Sequence, residues 1–261
     1  MSVTIRPIGD LLREWRQRRR LSQLDLALDA EISARHLSFL ETGRSRPSRE
    51  MVLNLAERLD VPLRERNLLL HAAGYAPVFP ERALDDPALQ VARLAIDQVL
   101  AGHEPYPALA IDRHWTLIAA NAATRRLMTG VDATLLQPPI NVLRLSLHPE
   151  GLAPRTTNLA EWRAHLLARL RHQIDVTSDP VLVRLLRELR EYPAPQEAGA
   201  DVDTNAVVVP FRLTTDAGVL ALFSTTTVFG TPVDITLSEL ALEAFYPADA
   251  VTAEALRKLA G

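Results

Sequence analysis

Two short capped helices joined by a tight turn are written into Leu21–Ser48, LSQLDLALDAEISARHLSFLETGRSRPS, and no other stretch restricts the fold as much. Ser22 stands at an N-cap position, its hydroxyl placed to accept from first-turn N–H groups, with Asp25 as the acidic partner three residues on. Leu26, Ala27 and Ala30 share one face at helical spacing and are small enough for close packing. Ser33, preceded by apolar Ile32, caps the second helix, whose Leu37 and Leu40 point back at the first. Its outer face carries Ala34, Arg35, His36, Ser38 and Thr42, the surface such a helix offers to base edges in a DNA groove. Arg35 is the one long donor there, suited to a bidentate contact with guanine. Gly43 supplies a left-handed stop, and Arg44 and Arg46 follow in a loop that can neutralise phosphates. Gln23, at the start of the first helix, can hydrogen-bond a phosphate, and Ser33 lies at the edge of the same surface. The plain alternative is a three-helix packing unit with an accidental polar face.

At these residues the chain resembles the Xre and phage-repressor class of helix-turn-helix domains, with LSQxxLA, a turn, then S and LExGxxxPS, over roughly residues 8–75. That class usually has Gly in the turn, where this chain has Glu31, so a left-handed backbone there costs about 1 kcal/mol or more. The resemblance also implies that an arginine of the first helix pairs with the Glu of LExG, here Arg16 with Glu41, making Glu41 structural.

The chain has 261 residues, which suits two domains. No cysteine is present, which excludes disulfides, thiolate metal sites and Cys nucleophiles. With no signal pattern and no apolar run long enough for a bilayer, the expected location is the cytoplasm, without a membrane partner. The net charge of −3 is unevenly shared: residues 1–75 carry 13 Arg against 10 acidic residues, and the remainder 16 basic against 22 acidic. DNA contact is therefore expected of the first part and not of the acidic second. The run Arg18-Arg19-Arg20 reads equally as a solvated helix end and as a phosphate contact.

The fold class expected is multidomain, α followed by α+β. Residues 1–75 form a five-helix, lambda-repressor-like DNA-binding domain, in which Ser48 caps the helix running to about Leu59. Residues 76–86, rich in proline, form a linker, and residues 87–261 form a ligand-binding and dimerisation domain. After a helix opening at Pro87, short apolar strands at 108–112 and 115–119 meet at Asp112-Arg113-His114. Asn121 caps a helix, helical segments follow at 141–147, 159–172 and 180–191, and strands are expected at 207–214, 218–229 and 235–245 before a closing helix. This gives an antiparallel five-stranded sheet with helices over one face, the layout of a PAS-like sensor. Residues 87–261 also resemble the ligand-binding domain of MmyB-like regulators, at Trp115 through Asn121-Ala-Ala, Asn141-Val-Leu-Arg144, the Trp162 helix and FGTPVDITLSELALEAFYPAD. That resemblance implies a small lipophilic effector, with a fatty acid among the candidates; no other cofactor is expected, a flavin held through cysteine being excluded by the absence of that residue while haem held by a histidine stays open.

Trp115, Asn121, Arg144, His148, Phe211 and Phe223 are the candidate ligand residues, with Arg144 or His148 as donor to a carboxylate. Core packing is the better reading for any single one of the apolar residues, and Arg144 reads equally as an interface or surface charge. No GxSxG, P-loop, GxGxxG or HExxH is present, and His165 and His172 lack the partners of a metal set, so neither catalytic residues nor a metal site is expected. The chain reads as a homodimeric repressor acting on a double-stranded operator under control of its effector. A regulator whose second domain only dimerises or recruits a protein is the alternative, and an enzyme with a DNA-binding head is the remoter one.

Overall fold

The computed structural model describes residues 6–193, 209–230 and 232–260. The chain divides into two units, Met1–Arg82 with Pro232–Ser238, and Ala83–Thr231 with Glu239–Gly261.

In the first unit, helices α1 (Ile8–Arg18), α2 (Gln23–Asp29), α3 (Ala34–Glu41), α4 (Arg49–Arg58) and α5 (Leu63–Ala72) surround one apolar core. Three of them start where serine caps were expected: Ser22 and Asp25 form a complete capping box, Ser33 Oγ accepts from His36 N, and Ser48 Oγ accepts from Met51 N. Leu12, Leu26, Leu37, Leu40, Leu55 and Leu70 are wholly buried, each contributing about 1.5–3 kcal/mol by leaving water. Gly9 lets α1 approach α3 closely, because a Cβ there would lie 2.6 Å from the carbonyl oxygens of Leu40 and Glu41. Glu31 has φ +56°, so the turn between α2 and α3 holds a non-glycine residue in the left-handed region.

The second unit begins with a short 3-10 turn capped by Asp86 and helix α6 (Gln90–Gly102). Strands β1 (Ala108–Ile111) and β2 (Leu117–Ala120) precede helices α7 (Ala122–Leu127), α8 (Val142–Leu147), α9 (Leu159–Thr177) and α10 (Pro180–Glu191). Strands β3 (Phe211–Thr215) and β4 (Gly218–Val228) follow. The short helix α11 (Ile235–Ser238) belongs to the first unit, and β5 (Ala241–Pro247) and α12 (Ala250–Ala260) close the chain. The sheet is antiparallel with strand order β2-β1-β5-β4-β3. Its core joins Leu109, Leu143, Trp162, Leu170, Leu213 and Leu222.

Several expected boundaries move. The strand expected at 235–245 starts only at Ala241, because Asp234 Oδ1 accepts from Thr236 N at 2.9 Å and Asp234 O from Ser238 N at 3.0 Å, closing a helical turn. The β1–β2 connection is longer than a tight hairpin: Asp112 Oδ1 accepts from both His114 N and Thr116 N at 2.8 Å, and Trp115 takes φ +66°. Helix α9 runs on to Thr177, five residues past His172. Residues 207 and 208 of the strand expected at 207–214, and residues 194–204 of the loop before it, lie outside the described residues.

Of the stretch expected as a linker, residues 76–82 fold with the helical unit. Asn67 is their anchor, donating to Phe79 O at 2.7 Å and accepting from Val78 N and Phe79 N. Residues 232–238 join them: Ile235 N bonds Pro80 O at 2.9 Å, Thr236 Oγ1 bonds Arg82 O at 2.6 Å, and Arg82 pairs with buried Asp234 at 2.9 Å.

Candidate functional site

Two places could carry function, one in each unit. In the first, α3 is held from behind by a buried ion pair. Arg16 Nε and Nη2 donate to the two carboxylate oxygens of Glu41 at 2.7 and 2.9 Å, and Nη1 donates to Leu21 O at 2.9 Å. This is the pair expected from the sequence. Burial raises the Glu41 carboxyl, but hydrogen bonds from Arg16 and Gln23 and the nearby charges of Arg16 and Arg13 outweigh it and hold the group below the usual carboxylate range.

The outer face follows from this anchoring. Arg35 is exposed, with Ala34, His36 and Ser38 partly exposed beside it and Ser33 at the helix start. Arg35 and Arg44 flank Phe39, their guanidinium carbons 5.3 and 5.9 Å from the ring centroid, so both start from one aromatic platform. Arg46 is exposed in the loop after Gly43, whose φ of +71° ends the helix. Gln23 differs from its expected freedom: its amide donates to Glu41 at 2.7 Å and so helps hold α3. Of the arginine run, Arg18 pairs with Glu14, and Arg19 donates to Leu59 O and Asp60 O at 2.7 and 2.8 Å. Arg18 thus pairs within α1, and Arg19 ties the end of α1 to the end of α4.

In the second unit the sheet and α7–α9 enclose a cavity of about 90 Å³. Trp115 and Phe211 line it, together with Leu143, Leu166, Leu222 and Phe245. Trp162 Nε1 donates to Ser146 Oγ at 2.9 Å and its ring stacks on Phe211 at 4.9 Å, which fixes one wall. Trp115 Nε1 donates to Gln173 Oε1 at 2.8 Å, fixing another.

The other four expected residues lie elsewhere. Asn121 is buried and knits the backbone, accepting from Ala108 N and Thr124 N and donating to Leu100 O and Tyr106 O. Arg144 is bidentate to Glu188 at 2.7 and 2.8 Å, which holds the Glu188 carboxyl below its usual range. His148 packs edge-on against Tyr192 at 5.0 Å, and Phe223 stacks on Tyr246 at 5.4 Å. The charged pair that does reach the cavity is Arg169 with Glu243, 2.5 Å apart. Glu243 left a signal in the sequence, as a lone carboxylate in the apolar strand Ala241–Pro247. Nothing local marks Arg169 as its partner.

His165 stacks on Trp162 at 5.4 Å, and its imidazole pKa is lowered by burial and by the charge of Arg169. Among the described residues no group of three or more His, Cys, Asp or Glu side chains could hold a metal, and no helix is long and apolar enough to cross a membrane.

Known proteins match the same two places. Residues 92–259 match the model of the MmyB-like transcription regulator ligand binding domain. The chain belongs to this MmyB-like family. Residues 7–69 match a helix-turn-helix domain, so the MmyB-like portion is preceded by the second recognised module. A relative from Methanoculleus marisnigri (strain ATCC 35101 / DSM 1498 / JR1), described as a "Putative HTH-type transcriptional regulatory protein", is 33% identical over 129 residues, 48% of this chain and 41% of the relative. The match thus spans less than half the length of that relative. A solved structure titled "Structure of an RNA-binding Light-Oxygen-Voltage Receptor" is 13% identical with a TM-score of 0.28, over 97% of this chain and 62% of that one, a likeness too slight to carry an argument.

Proposed function

We propose that this MmyB-like chain is a cytoplasmic, sequence-specific transcriptional repressor that binds double-stranded DNA through α3 and is controlled by a small lipophilic ligand in the cavity of its second unit. The observation that carries the reading is the outer face of α3. Arg35, His36 and Ser38 are turned away from the core, while Glu41 at the same helix is fixed by Arg16. Arg35 reads a base edge; Arg44 and Arg46 bind phosphates with Ser33 and Ala34 along the contact edge, and Gln23, one amide N–H held by Glu41, has its second N–H for a phosphate. A homodimer would set two such helices about 34–36 Å apart, one turn of DNA, on a pseudo-palindromic operator.

The ligand reading rests on the apolar walls around Trp115, Trp162 and Phe211. The ligand is a small lipophilic molecule, with a fatty acid among the candidates. A cavity of about 90 Å³ is smaller than the roughly 150 Å³ of an engineered cavity that binds benzene, so a longer chain enters only as lining side chains such as Leu127 and Met128 move. That movement is how occupancy would alter DNA binding, since a ligand shifts an equilibrium only by preferring one arrangement.

Selection of duplexes from a random pool, followed by binding titrations with and without added lipid, tests the whole reading. A two-fold symmetric consensus whose affinity falls on adding lipid is expected. Equal affinity for every duplex would overturn it.

A further inference from the structure

The cavity contains a charge that its apolar walls make costly and that the reading above does not use. Glu243 lies on β5, is 4% exposed, and accepts from Arg169 Nη2 at 2.5 Å, from Thr226 Oγ1 at 2.8 Å and weakly from Arg169 Nη1 at 3.4 Å. Arg169 comes from α9, keeps 28% of its side chain exposed, and lies 4.9 Å over the Trp115 ring. Both residues line the cavity, among leucines, tryptophans and phenylalanines.

An Arg alone at an apolar cavity is a receptor for a carboxylate. Here the site is already filled by the chain's own carboxylate. An ionised ligand head could take Arg169 only by leaving Glu243 buried without its cation, or by sitting beside it as a second negative charge in the same dry space. A cationic head meets the mirror of this problem at Arg169. An uncharged head meets neither. Its hydroxyl can donate to Glu243 Oε2, whose contact with Arg169 is the long one, and a carbonyl or hydroxyl oxygen can accept from guanidinium N–H groups that Glu243 does not use. Ser146, whose oxygen accepts from Trp162, keeps its own proton to donate.

We infer that the Arg169–Glu243 pair makes the cavity selective for uncharged lipophiles bearing one hydrogen-bonding head, such as an alcohol, ketone, ester or lactone, against the corresponding carboxylates. The inference rests on the cavity being the effector site. The pair acts as an internal counter-charge: it leaves a polar spot for orientation and removes the net charge that would recruit an anion.

Titrating the full chain with 1-octanol and with octanoate near neutral pH tests it, read by calorimetry and by the fluorescence of Trp115 and Trp162, which line the cavity. The alcohol is expected to bind about tenfold more tightly or better. Replacing Glu243→Gln keeps an oxygen for Arg169 and Thr226 while freeing the positive charge, and should reverse the order in favour of octanoate by about tenfold. The wild-type comparison needs no variant, and a thermal melt of Glu243→Gln shows whether it is folded. Octanoate binding the wild type as tightly as the alcohol overturns the selectivity while leaving the effector site standing, as does a folded Glu243→Gln with an unchanged preference. If neither compound binds the wild type, the effector reading falls and the selectivity falls with it.

Discussion

Arg16 grips Glu41 across 25 residues of sequence with two parallel hydrogen bonds, and the Glu41 side chain has no exposed surface. Helix α3 therefore depends on an ion pair on the side opposite Arg35. Replacing Arg16 by Ala leaves a buried carboxylate with only Gln23 and the more distant Arg13, and should lower stability of the helical unit by about 3 kcal/mol in denaturant unfolding. Replacing both partners by apolar residues of similar size should cost less than Arg16→Ala alone.

The same pair sets an acid limit. The Glu41 carboxyl is held below its usual range, so in the window between its folded value and an unfolded value of about 4.3 the unfolded chain binds more protons. Its contribution is complete above that window and is lost as pH falls through it. Melts of wild type and Glu41→Gln between neutral and acid pH should converge as the pH drops.

Glu31 stands at φ +56° in the turn before α3. Glu31→Gly should relieve the left-handed strain and raise stability by roughly 0.5–1 kcal/mol, with DNA affinity unchanged. A fall in melting temperature would show that the Glu31 side chain contributes more than its backbone costs.

Arg35 and Arg46 should separate cleanly in binding assays. Arg35→Ala should cost about 1–3 kcal/mol at one base pair and relax preference there. Arg46→Ala should weaken binding to all duplexes alike and reduce the salt slope by about 1. An Arg35→Ala protein that selects the same consensus as wild type would move base reading to other side chains.

Ser224 lines the cavity from β4. Ser224→Leu should fill part of the space, abolish lipid binding in fluorescence titrations and leave DNA binding indifferent to lipid. Retained lipid response would place the effector elsewhere.

Much of this was legible because the decisive signals are local. Ser22, Ser33, Ser48 and Asn121 cap the helices they were read to cap, and Asn141 caps a helix read only to start there, each with a side-chain oxygen accepting from first-turn N–H groups. The apolar run around Ile235 misled because alternation alone does not reveal a helical turn closed by Asp234. Arg144 looked available for a carboxylate, and it has one, Glu188, from a helix 44 residues away. Arg169 and Glu243 are 74 residues apart, and only the fold brings a cation on α9 to a carboxylate on β5. Local chemistry survives in one dimension; partnership between distant side chains does not.

The return of Pro232–Ser238 to the helical unit has a practical reach. A gene fragment ending at Arg82 would encode the five helices but omit Asp234 and Ile235, leaving Arg82 without its carboxylate and the Pro80 carbonyl without its donor. Single-breakpoint recombination at the interdomain segment, in the laboratory or in evolution, would thus transplant an incomplete module. A chimera that keeps the helical part whole has to be spliced at two places.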